Sequence, residues 1–280
     1  MPEGDNVHAH AAELGERLIG TALTAVWSRG VDMRGLRGRH VTSTQAIGKN
    51  LVLAFDEGTA VRVHLGINGH WRSVARATPA QLGQAQLALV TETTTFLCKA
   101  REIEWTRARF ANRSRAIARL GPDLLGDTPD LDAIVTRARQ PEHAARPIGE
   151  LLLNQSVAAG LGNVYKCELL FLHGLDPWTR VDAVDDDKLR AIYRDGVRWM
   201  RANVGRSRTT TADLSRGELP ARGRGRFWVY GRWRRACHRC GESIRQRRQG
   251  PGLRPTYWCP RCQPSASGGP SQSASGAASI

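Results

Sequence analysis

An apolar stripe at helical spacing predicts one helix near the amino terminus, over residues 5–19. The apolar positions recur every three or four residues and are Val7, Ala11, Leu14 and Leu18. Asp5 is the predicted N-cap, because a short acidic side chain accepts hydrogen bonds from the free N–H groups of a first turn. Gly20 is the predicted stop. We therefore expect one face of this helix to pack on the body of the protein.

Short apolar runs replace this stripe between about residues 22 and 106, and they predict strands. The clearest runs are 51–55, 59–65, 93–98 and 102–105. In the second of them, Val61, Val63 and Leu65 alternate with polar residues, which is typical of a half-buried strand. The pattern predicts an N-terminal domain over residues 1–125, a β-sandwich or barrel that carries the helix.

The second half of the chain returns to helical spacing after a segment rich in Gly, Pro and Asp at 121–130. We predict a linker over 126–144 and a helical domain over 145–226, so the fold class is α+β. The predicted helices are 145–156 with Pro147 in its first turn, 161–174 with Asn163 as N-cap, and 185–205 with an acidic start. Residues 264–280 are mostly Ser, Gly, Ala and Pro and are predicted to be a disordered tail.

The charge balance favours a polyanionic partner. Lys and Arg together number 41 against 26 Asp and Glu, a formal net charge of +15. A basic side chain that neutralises a phosphate releases the counterions bound there, so such a chain is attracted to nucleic acid. The alternative is a basic protein without an acidic partner. The chain begins without the pattern of a signal peptide, and no apolar stretch approaches the roughly 20 residues of a membrane span. We therefore expect a cytoplasmic, nucleoid-associated protein without disulfides.

Four of the six cysteines form two C-x-x-C pairs. Cys237 and Cys240 precede Cys259 and Cys262, with 18 residues between the pairs. This spacing suits one tetrahedral Zn²⁺ held by two knuckles of a β-hairpin, and we predict such a finger over 227–263. Four thiolates close the coordination sphere, so the predicted role of the metal is structural. A pair of redox dithiols is the alternative.

A glycine-rich connection joins the first two predicted helices of the second half. Gly160 and Gly162 lie directly before Asn163. Free N–H groups at a helix start, with an amide side chain beside them, form a phosphate site. An ordinary helical hairpin, in which Asn163 only caps the helix, is the alternative.

Six motifs in one order resemble the formamidopyrimidine-DNA glycosylase and endonuclease VIII family. They cover the chain from residue 2 to 263 and are Pro2-Glu3-Gly4, Gly48-Lys49-Asn50-Leu51, His64-Leu65-Gly66-Ile67-Asn68-Gly69, Leu120-Gly121-Pro122-Asp123, LLLNQSVAAGLGNVYKCELL and RPTYWCPRCQ. The resemblance implies an N-terminal β-sandwich, a helix-two-turn-helix domain and a zinc-finger hairpin. It also implies a monomer that binds damaged double-stranded DNA, excises oxidised bases and cleaves the strand at the abasic site.

The resemblance also implies roles for individual residues. Pro2 would be the nucleophile after removal of Met1, with Glu3 as its acid–base partner. Lys49 would act near the phosphate or as a proton donor, while Asn163 and Arg254 would hold phosphates that flank the lesion.

The chemistry of a terminal proline agrees with these roles. An α-amino group has a pKa of about 8, so part of it is unprotonated at neutral pH. Its attack on the sugar C1′ gives an iminium that permits β-elimination, and the neighbouring carboxyl can move the protons. The damaged nucleotide must leave the stack. Ile67 and Asn68, in a turn flanked by glycines, are the predicted wedge that fills the gap.

Departures from the family pattern bear on the substrate. Gly4 stands where the formamidopyrimidine branch commonly has leucine, and that branch's Asp-Pro-Arg-Arg-Phe-Gly-like loop is absent. Asp5, Ile67 and Ser156 also replace residues that are frequent in the family. We therefore favour oxidised pyrimidines over 8-oxoguanine. The alternatives are an 8-oxoguanine and formamidopyrimidine enzyme and a DNA-binding module without catalysis on the same scaffold; a zinc-ribbon transcription protein would not explain the amino terminus.

Overall fold

The computed structural model describes three stretches of the chain, residues 2–107, 115–206 and 226–265. Met1, part of the predicted helical domain (207–225) and the tail beyond residue 265 lie outside the described residues. None of the helices in the described stretches is both long and apolar enough to cross a membrane.

Helix α1 spans Gly4–Leu18, one residue earlier than predicted. Its N-cap is Glu3 instead of Asp5, and the Glu3 N–H donates to Asn6 Oδ1 at 3.2 Å. Asp5 cannot cap the helix because its side chain points inward, where it is fully buried and accepts the Tyr165 hydroxyl at 2.9 Å. The predicted apolar face is confirmed: the four predicted positions are buried against the sandwich.

Two four-stranded antiparallel sheets form the predicted β-sandwich. The strands are β1 Ala25–Ser28, β2 Val41–Ile47, β3 Asn50–Phe55, β4 Thr59–His64, β5 His70–Val74, β6 Leu87–Val90, β7 Thr95–Lys99 and β8 Glu102–Arg107. One sheet has the order β2-β3-β4-β8 and the other β1-β6-β7-β5. The inward side chains of both sheets and of α1 share one core. A short helix, α2 (Pro79–Gln84), lies against the second sheet.

Five α-helices follow within residues 115–206, and two of them correct the sequence analysis. They are α3 Arg115–Ala118, α4 Leu131–Ala138, α5 Ile148–Leu151, α6 Asn163–Leu172 and α7 Asp186–Asn203. Helix α4 occupies part of the predicted linker, and its apolar face joins the helical core, so this part belongs to the helical body. Helix α5 is much shorter than the predicted 145–156. It ends early because Asn154 Oδ1 accepts from the Ser156 N–H and hydroxyl, a local bond that competes with helix.

As predicted, the finger is a hairpin; it consists of β9 (Arg245–Gln249) and β10 (Arg254–Trp258), with the turn at Gly250-Pro251-Gly252. It packs on α6 through an apolar cluster that includes Phe171, Trp228 and Ile244. The Glu168 carboxylate reinforces this contact, since it accepts the N–H groups of residues 228, 229 and 230 at 2.8–2.9 Å. The hairpin is thereby held beside the amino-terminal end of α6.

Candidate active site

The amino terminus lies at the junction of the sandwich, the helical domain and the finger. The Gly4 N–H donates to the Gly160 carbonyl at 3.0 Å, so the first residues are fixed to the segment that precedes α6. Pro2 lines a cavity of about 210 Å³. The same cavity is lined by four other residues that the sequence singled out, Lys49, Ile67, Asn163 and Arg254. The predicted site residues thus come together from both halves of the chain.

Glu3 lies directly behind this cavity and is almost fully buried. Its Oε1 accepts the Val164 N–H at 2.8 Å, in the first turn of α6. Burial raises the pKa of Glu3 from 4.5 to about 7, although the charge of Lys49 opposes the rise. A carboxyl with this pKa holds a proton up to neutral pH and can both donate and accept it there.

Lys49 lies in the tight turn between β2 and β3. Gly48 has a φ of +57°, and Asp123 holds the turn because its Oδ2 accepts the Gly48 N–H at 2.7 Å. The Lys49 ammonium donates to the Leu161 carbonyl. Burial lowers the pKa of Lys49 to about 8, with a further lowering from the charge of Arg254. Lys49 is therefore an amine beside the amino terminus with a pKa close to neutral pH.

Asn163 and Arg254 approach the cavity from α6 and the finger. Asn163 is the first residue of α6, while Gly162 takes the N-cap position that was predicted for Asn163. The Asn163 Nδ2 donates to the Pro255 carbonyl at 2.7 Å, which fixes β10 to the helix start. Arg254, the residue before Pro255, is the first residue of β10 and lines the cavity. The phosphate-binding roles of both residues stay predictions.

The turn that contains Ile67 and Asn68 projects beside Pro2. Ile67 is half exposed, which is unusual for a large apolar side chain, and it lines both the first cavity and a neighbouring one that contains Asn68. Gly69 has no room for a Cβ because the Leu65 carbonyl occupies that space. The turn is thus narrow and presents an apolar tip, as a wedge requires.

A buried polar network beneath the site was not predicted. Tyr165 donates its hydroxyl proton to Asp5 Oδ2 and accepts from Asn203 Nδ2, each at 2.9 Å. Burial strongly raises the pKa of Tyr165, so the hydroxyl stays protonated and serves as a donor. Because these residues are about 40 to 160 positions apart, no sequence spacing could have revealed the contact. The network ties α1 to α6 and α7.

The Glu3 carboxyl occupies the space that a side chain at residue 162 would fill, and Gly162 leaves this space open. A Cβ there would overlap the carboxyl and lie 2.7 Å from Glu3 Cγ, although the φ of −128° suits any residue. We expect Gly162→Ala to lower the free energy of unfolding by about 1–3 kcal/mol, as overpacking does. If Glu3 is the acid of base excision, as the resemblance implies, this variant should also slow base excision at least about tenfold, because its carboxyl is displaced.

Gly83→Ala is the matched control, since a Cβ at Gly83 has no neighbour within 4 Å. Thermal unfolding and single-turnover base release measure the two effects. Wild-type values for Gly162→Ala in both would contradict this account of the packing.

Comparisons with known proteins agree with this arrangement. The formamidopyrimidine-DNA glycosylase N-terminal domain matches residues 1–109, and the formamidopyrimidine-DNA glycosylase H2TH domain matches residues 120–215. The chain is 36% identical to the Probable endonuclease 8 2 of Streptomyces coelicolor, over 94% of each chain. It is 34% identical to a DNA-(apurinic or apyrimidinic site) lyase of Mycolicibacterium smegmatis, over 94% of this chain and 99% of the relative.

Solved structures share the architecture. The MutM (Fpg) protein of Thermus thermophilus superimposes with a TM-score of 0.76 at 27% identity, covering 94% of this chain and 98% of the other. The Lactococcus lactis formamidopyrimidine-DNA glycosylase, solved with DNA that contains an abasic site, gives a TM-score of 0.78 at 19% identity, covering 94% of this chain and 100% of the other, which bears on the fold alone. The predicted α+β fold is confirmed.

Proposed function

Because this chain belongs to the formamidopyrimidine-DNA glycosylase and endonuclease VIII family, we propose that it is a bifunctional DNA glycosylase and abasic-site lyase. The observation that carries the proposal is the position of Pro2. It lines the cavity between the two halves of the chain, with a buried carboxyl of pKa about 7 next to it and three basic side chains, Lys49, Arg101 and Arg254, in the same lining.

In the proposed reaction the Pro2 amine attacks C1′ of the damaged nucleotide. The N–C1′ bond forms as the bond from C1′ to the base breaks, and the base leaves with the electron pair and takes up the proton that the Pro2 nitrogen releases. Glu3 protonates the ring oxygen, the ring opens, and the Pro2 nitrogen becomes an iminium. The Glu3 carboxylate then accepts a C2′ proton, β-elimination expels the 3′ phosphate, and water hydrolyses the iminium and releases the enzyme.

We further propose that the basic groups in the cavity hold the phosphates of the lesion strand. Arg254 and Lys49 converge there from the finger and from the β2–β3 turn, and Asn163 orients β10 between them. A guanidinium and an ammonium in a partly buried cavity favour an anion such as phosphate. One chain supplies all of these groups, so a monomer suffices for binding of double-stranded DNA.

Oxidised pyrimidines are the proposed bases. Only Ala100 and Arg101 connect β7 to β8, so this connection is too short to form a long loop that contacts the DNA. Several of the relatives are named as endonuclease 8. The test is a panel of duplexes, each with one lesion, in which base release and strand cleavage are measured separately. Release of a lesion base followed by cleavage supports the proposal; failure on all lesions and on abasic DNA contradicts it.

Zinc is the proposed metal of the finger. The four cysteine sulfurs lie within 4.8 Å of one another, with 3.9 Å between Cys237 and Cys262 and 3.4 Å between Cys240 and Cys259. Tetrahedral Zn²⁺ with bonds of about 2.3 Å needs sulfurs about 3.8 Å apart, so the residues fit this ion. It would hold the two knuckles together and leave no open coordination position.

We expect Cys237→Ser or Cys259→Ser to remove the metal and to weaken DNA binding at least about tenfold. A hairpin this small depends on its metal for folding, and without it Arg254 is not held at the cavity. Elemental analysis and DNA titration measure the two effects. Cys98→Ser, a change in a buried thiol of the sandwich, is the control and should keep one metal ion per chain. Metal-free protein with undiminished DNA affinity would contradict the assignment.

A further inference from the structure

A second groove lies on the outer face of the sandwich, beside the Ile67 turn. Its volume is about 460 Å³, and α2 forms one wall. The charged side chains that line it are basic, namely Arg29, Arg72 and Lys99, with His70 next to them; among the described residues no carboxylate lines it. The mechanism proposed above uses none of these groups.

The sheet register places these cations side by side. His70 pairs with Lys99, and Arg72 pairs with Leu97, so the side chains of His70, Arg72 and Lys99 share one face of β5 and β7. Arg29 is directed into the groove from the other edge by a hydrogen bond to the Gly83 carbonyl.

None of the three cations forms a salt bridge with a described residue. In contrast, the exposed residues Arg34, Arg39 and Arg180 each have a carboxylate partner. Clustered like charges repel one another and destabilise a sheet face, and a polyanion relieves this repulsion.

The groove adjoins the proposed site of the reaction. His70 lines it and also lines the cavity that contains Pro2, Ile67 and Asn68. The cavity with Lys49 and Arg254 is lined by the first part of the Ile67 turn, His64 to Ile67, whereas the groove is lined by His70 after it, and the two share no lining residue. A wedge that enters a duplex lies between its two backbones, so the cations on its two sides face different strands.

We propose that the groove of Arg29, Arg72 and Lys99 binds the phosphate backbone of the intact strand, opposite the lesion. This inference rests on the proposed function for the position of the lesion strand. The cavity with Lys49 and Arg254 would then hold the lesion strand, and the groove on the other part of the Ile67 turn would hold the intact strand. The β-sandwich would thereby increase the affinity for duplex DNA.

The test compares wild type with the double variant Arg72→Ala/Lys99→Ala on one abasic-site oligonucleotide, either single-stranded or paired. For the duplex, the double variant should bind about tenfold more weakly, and the slope of log affinity against log salt should fall by about two, the value for two phosphate contacts. For the single strand, its affinity should equal that of wild type. Neutral methylphosphonate linkages in the intact strand should weaken wild type by a similar factor and the double variant much less.

Arg37→Ala/Arg194→Ala is the matched control because it removes the same charge elsewhere. Arg37 precedes β2 at the end far from Lys49, and Arg194 is exposed on α7. Equal duplex affinity for wild type and the groove variant would overturn the proposal, and so would an equal loss on single-stranded DNA, which would assign the groove to the lesion strand. Absence of strand cleavage by wild type would contradict the proposed function and would leave this binding result unaffected.

Discussion

Borohydride added to the mature protein and abasic DNA is expected to give a stable covalent complex joined through Pro2. If the terminal amine attacks C1′, an iminium exists during turnover, and hydride converts it to an amine that no longer hydrolyses. Pro2 is suited to this attack because it lines both cavities beside the Ile67 turn. Peptide mapping of the complex by mass spectrometry should place the adduct on Pro2.

The competing nucleophile is Lys49, and its pKa alone does not exclude it. Burial lowers that pKa to about 8, close to the ordinary value of about 8 for an α-amino group. The two amines differ in position, since the Lys49 ammonium is held by the Leu161 carbonyl. An amino-terminal tag that turns the Pro2 amine into an amide should abolish trapping, and cleavage of the same tag to leave Pro2 first should restore it.

Lys49→Arg is the matched variant for this experiment. It keeps the cation but removes the only other amine placed at the cavity wall among the described residues, so trapping should persist. An adduct mapped to Lys49, or full trapping by the tagged chain, would overturn the assignment of the nucleophile and leave the DNA-binding architecture unchanged.

The sequence predicted those elements in which local pattern and tertiary environment agree. Helix α1 and the hairpin strands β3 and β4 were found within one residue of each predicted boundary, because each has one clear apolar face or run. The strands β1, β2, β5 and β6 were not among the predicted runs; β2 (VTSTQAI) and β5 (HWRSV) are too polar to form an apolar run. Helix α5 was overestimated because Asn154 ends it through side-chain bonds that helical spacing does not reveal.

Two charged residues of α6 show why the burial of side chains was harder to predict than the positions of helices and strands. Lys166 and Glu168 suggest a solvent-facing helix surface, but both are fully buried beneath the finger. The Lys166 ammonium donates to Thr256 Oγ1 at 2.6 Å, and Glu168 binds the backbone that leads into the hairpin. Their partners lie 60 to 90 residues away, so only the folded chain shows that they fix the finger to the helix.

Glu3→Gln is expected to reduce base excision by about 100-fold or more, the lower range for loss of a general acid. An amide cannot protonate the sugar oxygen, although it keeps the size of the side chain and can still accept the Val164 N–H. Cleavage of DNA that is already abasic should be less affected, because no base has to be expelled. Single-turnover assays on a lesion duplex and on an abasic duplex separate the two steps. Equal losses in both would contradict the role of Glu3 in base release.

The same variant should change how stability depends on pH. The pKa of Glu3 is about 7 in the folded protein and 4.5 when unperturbed, so its stabilising contribution is complete below pH 4.5 and is lost as pH rises through 7. The shift corresponds to about 3 kcal/mol of the free energy of unfolding. Between pH 5 and pH 8, Glu3→Gln should therefore lose less stability than wild type. Glu13→Gln, the same charge change on the exposed side of α1, should follow wild type, and identical pH profiles for all three proteins would show that Glu3 is not held in its neutral form by burial.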